Sequence, residues 1–285
     1  MASPSVAQRR RWALIGSYAS LGLFAVVFLL PPYYMLVTSF KTPHEIQTMP
    51  GFPLIINEGA TLEHYRRLFL ETPFFTFLRN TAIVTALVVT ISMGISLPAA
   101  YALARLRFAG SAGLATGVFL TYLVPETLLF IPLFKVLSTL GLLNSLGALV
   151  VVFPTLSVPF CTWILIGYFG SIPRELDEAA YIDGASHLQM LLRIFIPVAM
   201  PGIVAATMFS FTVSWAGFLY PLAFIFSRDS AVLTTGVVGS LITGDVIYWG
   251  GLMAGALMAA LPPIVVYVFL MDYYVSGLTA GATKG

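Results

Sequence analysis

Apolar residues run along this chain in long blocks, and polar residues gather in the short breaks between them. Six blocks reach the roughly 20 apolar residues that a membrane-spanning helix needs. They cover residues 12–37, 80–106, 113–134, 146–169, 197–226 and 251–275, and no charge falls between Thr81 and Ala104. The pattern predicts an all-α polytopic membrane protein, a bundle of six transmembrane helices forming one transmembrane domain over residues 1–285. Prolines fall inside several blocks, at Pro125, Pro132, Pro154, Pro159, Pro262 and Pro263. A backbone carbonyl freed by proline inside lipid must find a neighbouring helix or a water-lined cavity. The expected helices are therefore kinked and packed around something. The longest connection, 40–79, has room for a short amphipathic helix near 63–70.

One polar break stands out, residues 171–201. It holds four of the chain's twelve acidic residues within nine positions, Glu175, Asp177, Glu178 and Asp183. Pro173 suits the first turn of a helix, where its missing N–H is not needed. The acids that follow favour the positive end of that helix. Asp183-Gly184 is a turn dipeptide, and Gly184 suits a positive φ. Ser186 and Gln189 then form a capping box that starts a second helix. That helix is expected to carry Leu188, Leu191, Leu192 and Phe195 towards the bilayer, with Pro197 and Pro201 leading into the fifth span. Ala179 and Ala180 are expected to leave a low-relief patch beside Glu178. On physical grounds the segment is either an amphipathic connector or a docking element.

Composition removes the soluble alternatives. Only 9% of residues are charged and 59% are hydrophobic, with a mean hydropathy of +0.93. A soluble domain carries about 25% charged residues. The net charge of +2 implies no affinity for nucleic acid. Cys161 is the single cysteine and lies in an apolar run, so neither a disulfide within the chain nor a cysteine-rich metal site is expected. Arg9, Arg10 and Arg11 precede an apolar run of roughly 25 residues, too long for a cleavable signal, so this run reads as a retained first span. Alternating the six spans puts eight Lys and Arg on the side of the N-terminus, namely Arg9, Arg10, Arg11, Arg105, Arg107, Arg174, Arg193 and Lys284, and six on the other. Basic residues mark the cytoplasmic side. Both termini and the 171–201 segment are therefore expected in the cytoplasm.

The string Glu178-Ala179-Ala180-Tyr181-Ile182-Asp183-Gly184-Ala185, followed by Ile194, Pro197 and Pro201, resembles the Glu-Ala-Ala loop of ABC importer permeases. Pro98-Ala-Ala-Tyr101-Ala-Leu-Ala-Arg105-Leu-Arg107-Phe-Ala-Gly110 and Leu140-Gly-Leu-Leu-Asn144 resemble stretches of carbohydrate-uptake permeases of the maltose type. The ending Gly277-Leu-Thr-Ala-Gly-Ala-Thr-Lys284-Gly285 is similar to that of the second, shorter permease of the group. Trp215-Ala-Gly-Phe218 departs from the more polar Trp-Asn type usual there. The resemblance implies a permease subunit that moves a sugar or sugar-like solute. Its partners would be a second permease, two copies of an ATPase subunit and an external solute-binding protein. Glu178, Ala179, Ala180, Asp183 and Gly184 would form the coupling helix docked on the ATPase. ATP and magnesium would belong to that ATPase, with no cofactor on this chain. The sequence contains no G-x-x-x-x-G-K-[ST] phosphate loop, so the chain is not expected to be an enzyme.

Glu126 is the acid placed deepest in an expected span. A carboxylate at mid-bilayer costs about 2.5–3.5 kcal/mol on insertion scales, so it should face a cavity or a partner, and it is a candidate acceptor for a sugar hydroxyl. Tyr122, Trp215, Phe218 and Tyr220 are candidates to stack on a sugar face, although aromatic residues at helical spacing also serve as packing or interface residues. His44, His64 and His187 are isolated in sequence and are expected to be solvated. Gly251, Gly255 and Ala259 form a small-residue stripe for close packing of the sixth span. The alternatives are an ion-coupled secondary transporter, which usually has more spans and inverted repeats, and an intramembrane enzyme, for which no catalytic constellation is visible.

Overall fold

The computed structural model describes residues 6–48, 51–106, 108–244 and 246–280. Arg107 and the tail 281–285 lie outside the described residues. The fold is all-α, with one two-residue hairpin among the described residues. The helices are α1 (Val6–Phe40), α2 (Pro43–Thr48), α3 (Glu63–Glu71), α4 (Phe74–Arg105), α5 (Ser111–Tyr122), α6 (Phe130–Thr139), α7 (Leu146–Val152) and α8 (Pro154–Ser171). They continue with α9 (Glu175–Ile182), α10 (His187–Met190), α11 (Ile196–Val198), α12 (Met200–Ala216), α13 (Leu219–Phe224), α14 (Leu233–Leu241) and α15 (Trp249–Ala280). The strands β1 (Ile242–Thr243) and β2 (Val246–Ile247) pair antiparallel before α15.

Four helical stretches are long and apolar enough to cross a membrane: 10–40, 74–105, 146–171 and 249–271. The other two expected spans are broken. Residues 113–134 do not form one helix. Here α5 ends at Tyr122, a 3-10 turn runs over Glu126–Leu129 into α6, and this stretch over 126–139 leaves at 93° to α5. Pro125 at the break has no N–H to continue a helix. Residues 197–226 are also divided, since α12 stops at Ala216, Gly217 is non-helical and α13 is a separate short helix. The bent pairs that qualify as spans are 111–122 with 126–139 and 187–198 with 200–216, and with each taken as one span the number reaches six. The amphipathic helix expected near 63–70 is present as α3.

The chain divides into two compact units, residues 1–72 with 239–258, and residues 73–238 with 259–285. In the larger unit α4, α8 and α12 pack on one another. The α4–α8 contact carries a buried hydroxyl pair, Ser92 Oγ to Ser157 Oγ at 2.7 Å, which glues two helices that gain little hydrophobic drive in lipid. Cys161 is fully buried and its Sγ meets the Ala206 carbonyl at 3.3 Å. At the start of α4, Asn80 donates to the Asp229 and Ala231 carbonyls at 2.8 and 2.9 Å. Thr81 Oγ1 accepts from the Leu233 N–H at 2.8 Å. Further along, Asn144 (φ +58) accepts from the Phe226 and Ser227 N–H groups at 2.8 Å each.

In the smaller unit the 41–58 loop closes on Glu45, which is 1% exposed. Its carboxylate takes Lys41 Nζ at 2.8 Å, the Asn57 N–H and Nδ2 at 3.0 Å, and the Glu58 N–H at 3.1 Å. His64, expected to be solvated, is instead buried and bonded to the Lys41 carbonyl at 3.0 Å. Gly250 lies so close to His64 that a Cβ there would sit 2.2 Å from Nε2. Gly251 and Gly255, from the expected small-residue stripe, are buried. The first span differs from all of this, because none of its most apolar window is buried inside the chain.

Candidate functional site

The 171–201 segment folds as helix, turn, helix. α9 begins at Glu175 after Arg174, and Pro173 lies in the preceding turn, its carbonyl accepting from the Leu176 N–H at 3.4 Å. Pro173 is thus outside the helix rather than in its first turn. The three acids Glu175, Asp177 and Glu178 occupy the positive end of α9. The turn after α9 is made by Gly184 at φ +74, a conformation that favours glycine. The capping box is complete: Ser186 Oγ accepts from the Gln189 N–H at 3.3 Å, and Gln189 Oε1 accepts from the Ser186 N–H at 2.8 Å.

The second helix differs from its expected form. Leu188 and Leu192 are exposed, while Leu191 and Phe195 are buried in the core of the larger unit. It widens into a π-turn over Leu191–Phe195, with the Ile196 N–H reaching back to the Leu191 carbonyl. Pro197 has no N–H for the Arg193 carbonyl, which explains why the regular ladder gives way there. The helix then meets α12 at 86°. Glu178, Ala179, Asp183 and Gly184 are exposed, but Ala180 is 5% exposed and packs inward. The patch beside Glu178 is therefore made by Ala179 and not by Ala180, because a regular helix turns successive residues to different faces.

Arg105 fixes this segment to α4. Its Nη2 donates to the Ile172 carbonyl at 2.6 Å, its Nε stands 3.6 Å from Asp177 Oδ2, and its guanidinium lies 4.7 Å from the Phe195 ring centre. The sequence pattern gave Arg105 only the role of a loop charge. His187 meets the Tyr101 hydroxyl at 3.1 Å and the Tyr181 hydroxyl at 3.3 Å, so it is partnered rather than merely solvated.

A second feature lies where two helices of the larger unit are broken. A cavity of about 610 Å³ is lined by Tyr122, Glu126, Phe153, Phe209, Thr212 and Phe218, among others. Tyr122 stacks near Phe160 and Phe209, at 5.1 and 6.2 Å between ring centres. Gly217 allows Phe153 to press against the backbone, since a Cβ there would lie 2.5 Å from the ring. Thr212 Oγ1 bonds the Tyr267 hydroxyl at 2.7 Å. Three of the five expected pathway residues, Tyr122, Glu126 and Phe218, thus meet at one cavity. Trp215 and Tyr220 are not among its lining residues. Trp215 is 8% exposed and donates its indole N–H to the Ala259 carbonyl at 3.0 Å, and Tyr220 is fully buried among Phe130, Phe153 and Phe224. Phe153, Phe209 and Thr212 were not singled out in the sequence, and the signals nearest to them were Pro125 and Gly217.

Residues 92–279 match the family described as "Binding-protein-dependent transport system inner membrane component". The chain belongs to this family. Across their lengths the permease and its relatives agree as well. It is 35% identical over 279 residues to the inner membrane ABC transporter permease protein YcjP of Escherichia coli, covering 97% of this chain and 99% of that one. It is 34% identical over 267 residues to the trehalose/maltose transport system permease protein MalG of Thermococcus litoralis, covering 92% and 94%. Among solved structures, a bacterial ABC transporter involved in the import of the acidic polysaccharide alginate has the same fold, with a TM-score of 0.78, 24% identity and coverage of 95% of this chain and 100% of that one. The protein is an ABC importer permease, a multi-pass protein of the inner membrane.

Proposed function

We propose that this permease moves a sugar or sugar-like solute and is powered by a separate ATPase subunit that docks on the 171–201 segment. The observation that carries the docking role is the right-angled arrangement of that segment. The helix over 187–198 stands at 86° to α12, with Glu178 and Ala179 presented outward and Arg105 tying the base of α9 to α4. Such a segment can pass a push from outside the membrane to the spans as a rigid-body movement. Glu178 would meet a basic group on the ATPase through a charge-assisted bond. Both termini would be cytoplasmic. A second permease, two ATPase copies carrying ATP and magnesium, and an external solute-binding protein would complete the assembly.

The sugar reading is supported by the cavity at the two helix breaks. Broken helices lining a midplane cavity are a recurrent way for transporters to build a solute site. Glu126 supplies an acceptor for hydroxyl groups, and Tyr122 and Phe218 supply ring faces. The test is uptake of maltose, trehalose and a set of other sugars by the whole transporter. Glu178→Ala is expected to abolish uptake and sugar-stimulated ATP hydrolysis at unchanged membrane levels, and Glu126→Gln to raise the half-saturating sugar concentration. Normal coupling in Glu178→Ala would rule out the docking role, and unchanged sugar dependence in Glu126→Gln would rule out the pathway.

A further inference from the structure

The smaller unit contains a cavity of about 730 Å³, within the range of about 300–1,000 Å³ typical of small-molecule sites. Its walls include Tyr34 and Thr38 from the end of α1, Lys41, Glu45 and Asn57 from the loop that follows, and Trp249 at the start of α15. None of these residues lines the Glu126 cavity.

Their hydrogen-bonding state defines what the cavity can hold. Thr38 is 4% exposed, and its hydroxyl has no hydrogen-bond partner among the described residues. A buried hydroxyl without a partner is costly to leave so, and Thr38 is one of the residues lining a space large enough for a ligand. One turn further on, Lys41 is 6% exposed and held by Glu45 at 2.8 Å. An ammonium carries three donor hydrogens, so this contact leaves donors for a ligand. Glu45 does not compete for one. Its two oxygens already take Lys41, both nitrogens of Asn57 and the Glu58 N–H. It balances the lysine charge and is otherwise saturated. The cavity therefore offers hydroxyl and ammonium donors beside the rings of Tyr34 and Trp249, with its charge cancelled. An anion would find no excess positive charge, and a purely apolar molecule would leave Thr38 and Lys41 unanswered.

We propose that this cavity binds a pyranose ring of a neutral sugar, a second carbohydrate site on the chain besides the one at Glu126. This rests on the reading of the protein as a sugar importer. In the proposed orientation the site lies at the external end of α1.

The experiment uses the complete transporter in lipid nanodiscs, with D-glucose, maltose and trehalose as probes. The chain has four tryptophans, so Trp249 emission is taken as the sugar-dependent change lost in Trp249→Phe. Wild type is expected to show a saturable change, and Thr38→Val to shift it to roughly three- to tenfold higher sugar concentration, the effect of losing one hydrogen bond. Thr38→Val removes a buried hydroxyl that bonds nothing among the described residues, so its thermal stability is expected to equal or exceed that of wild type. An unshifted response in Thr38→Val, or no response to any of the three sugars, overturns the site. If Thr38→Val instead weakens only the attachment of the solute-binding protein, a protein side chain fills the cavity and the proposal is likewise overturned. Whole-cell uptake separates the two readings. Sugar uptake with an unchanged Thr38→Val dose response removes only the site, whereas absence of sugar uptake by wild type removes the importer reading itself.

Discussion

Arg105 donates a hydrogen bond of 2.6 Å to the carbonyl of Ile172, joining the last residue of α4 to the residue that follows α8. The same guanidinium stands over Phe195 and beside Asp177, so one side chain gathers three parts of the larger unit. Arg105→Met keeps most of the apolar stem and removes these contacts. A hydrogen bond to a charged group is worth about 1.5–3 kcal/mol, and a loss of that size is expected in the thermal unfolding of the detergent-solubilised protein. Arg105→Lys is expected to recover only part of it, because the planar fork and its stacking are lost.

Gly184 is a conformational rather than a packing requirement. Its φ is +74, and a Cβ built there would meet nothing within 4 Å. Gly184→Ala is expected to cost about 1–2 kcal/mol from backbone strain alone, and Gly184→Asn less, since asparagine tolerates this region. Comparing thermal stability of the two variants checks the order, and an Ala variant as stable as wild type would show that the turn has relaxed.

Asn80 anchors the start of α4 through two carbonyls about 150 positions away in sequence. Asn80 is 1% exposed. Asn80→Leu, of similar volume, leaves the Asp229 and Ala231 carbonyls without their donor and is expected to cost about 1–3 kcal/mol. Together with Thr81→Val the losses are expected to be non-additive, since both residues hold the same segment.

Glu45 predicts an acid dependence. Burial alone would raise its carboxyl, but the bonds from Lys41, Asn57 and Glu58 outweigh burial and bring it from 4.5 down to about 2. A carboxyl lower in the folded than in the unfolded state stabilises the fold above the unfolded value, and that contribution fades as pH falls from about 4.5 through about 2. The stability gap between wild type and Glu45→Gln is therefore expected to be constant above pH 5 and to narrow steadily below it. Unfolding measured across that pH range checks the window, and a gap that widens in acid would contradict it.

The parts of this protein that a hydropathy pattern can see were legible, and the parts set by backbone breaks were not. Apolar blocks located every long helix, because lipid selects for uninterrupted apolar length. The same blocks ran through the breaks after Tyr122 and Ala216, since a sum of side-chain hydropathies is blind to φ and ψ. Pro125 marked one break, and Gly217 left a weaker sign of the other. The capping box at Ser186 was readable because its partners are three residues apart. The role of Glu45 was not, since its partners Asn57 and Glu58 lie twelve and thirteen positions away. Ala180 and Ala179 were grouped together in the Glu-Ala-Ala string, and only helical rotation separates the one that packs from the one that faces out.

The bare first span has a consequence for how the chain is put together. A helix that buries none of its central window against its own chain takes no fold-specific support along that window. Its Leu, Phe and Val side chains are answerable to lipid or to another polypeptide and to nothing else in this one. Exchanging residues 12–30 for a different apolar sequence of equal length should leave the larger unit folded as before. Any selectivity in that stretch would be written by a neighbouring subunit.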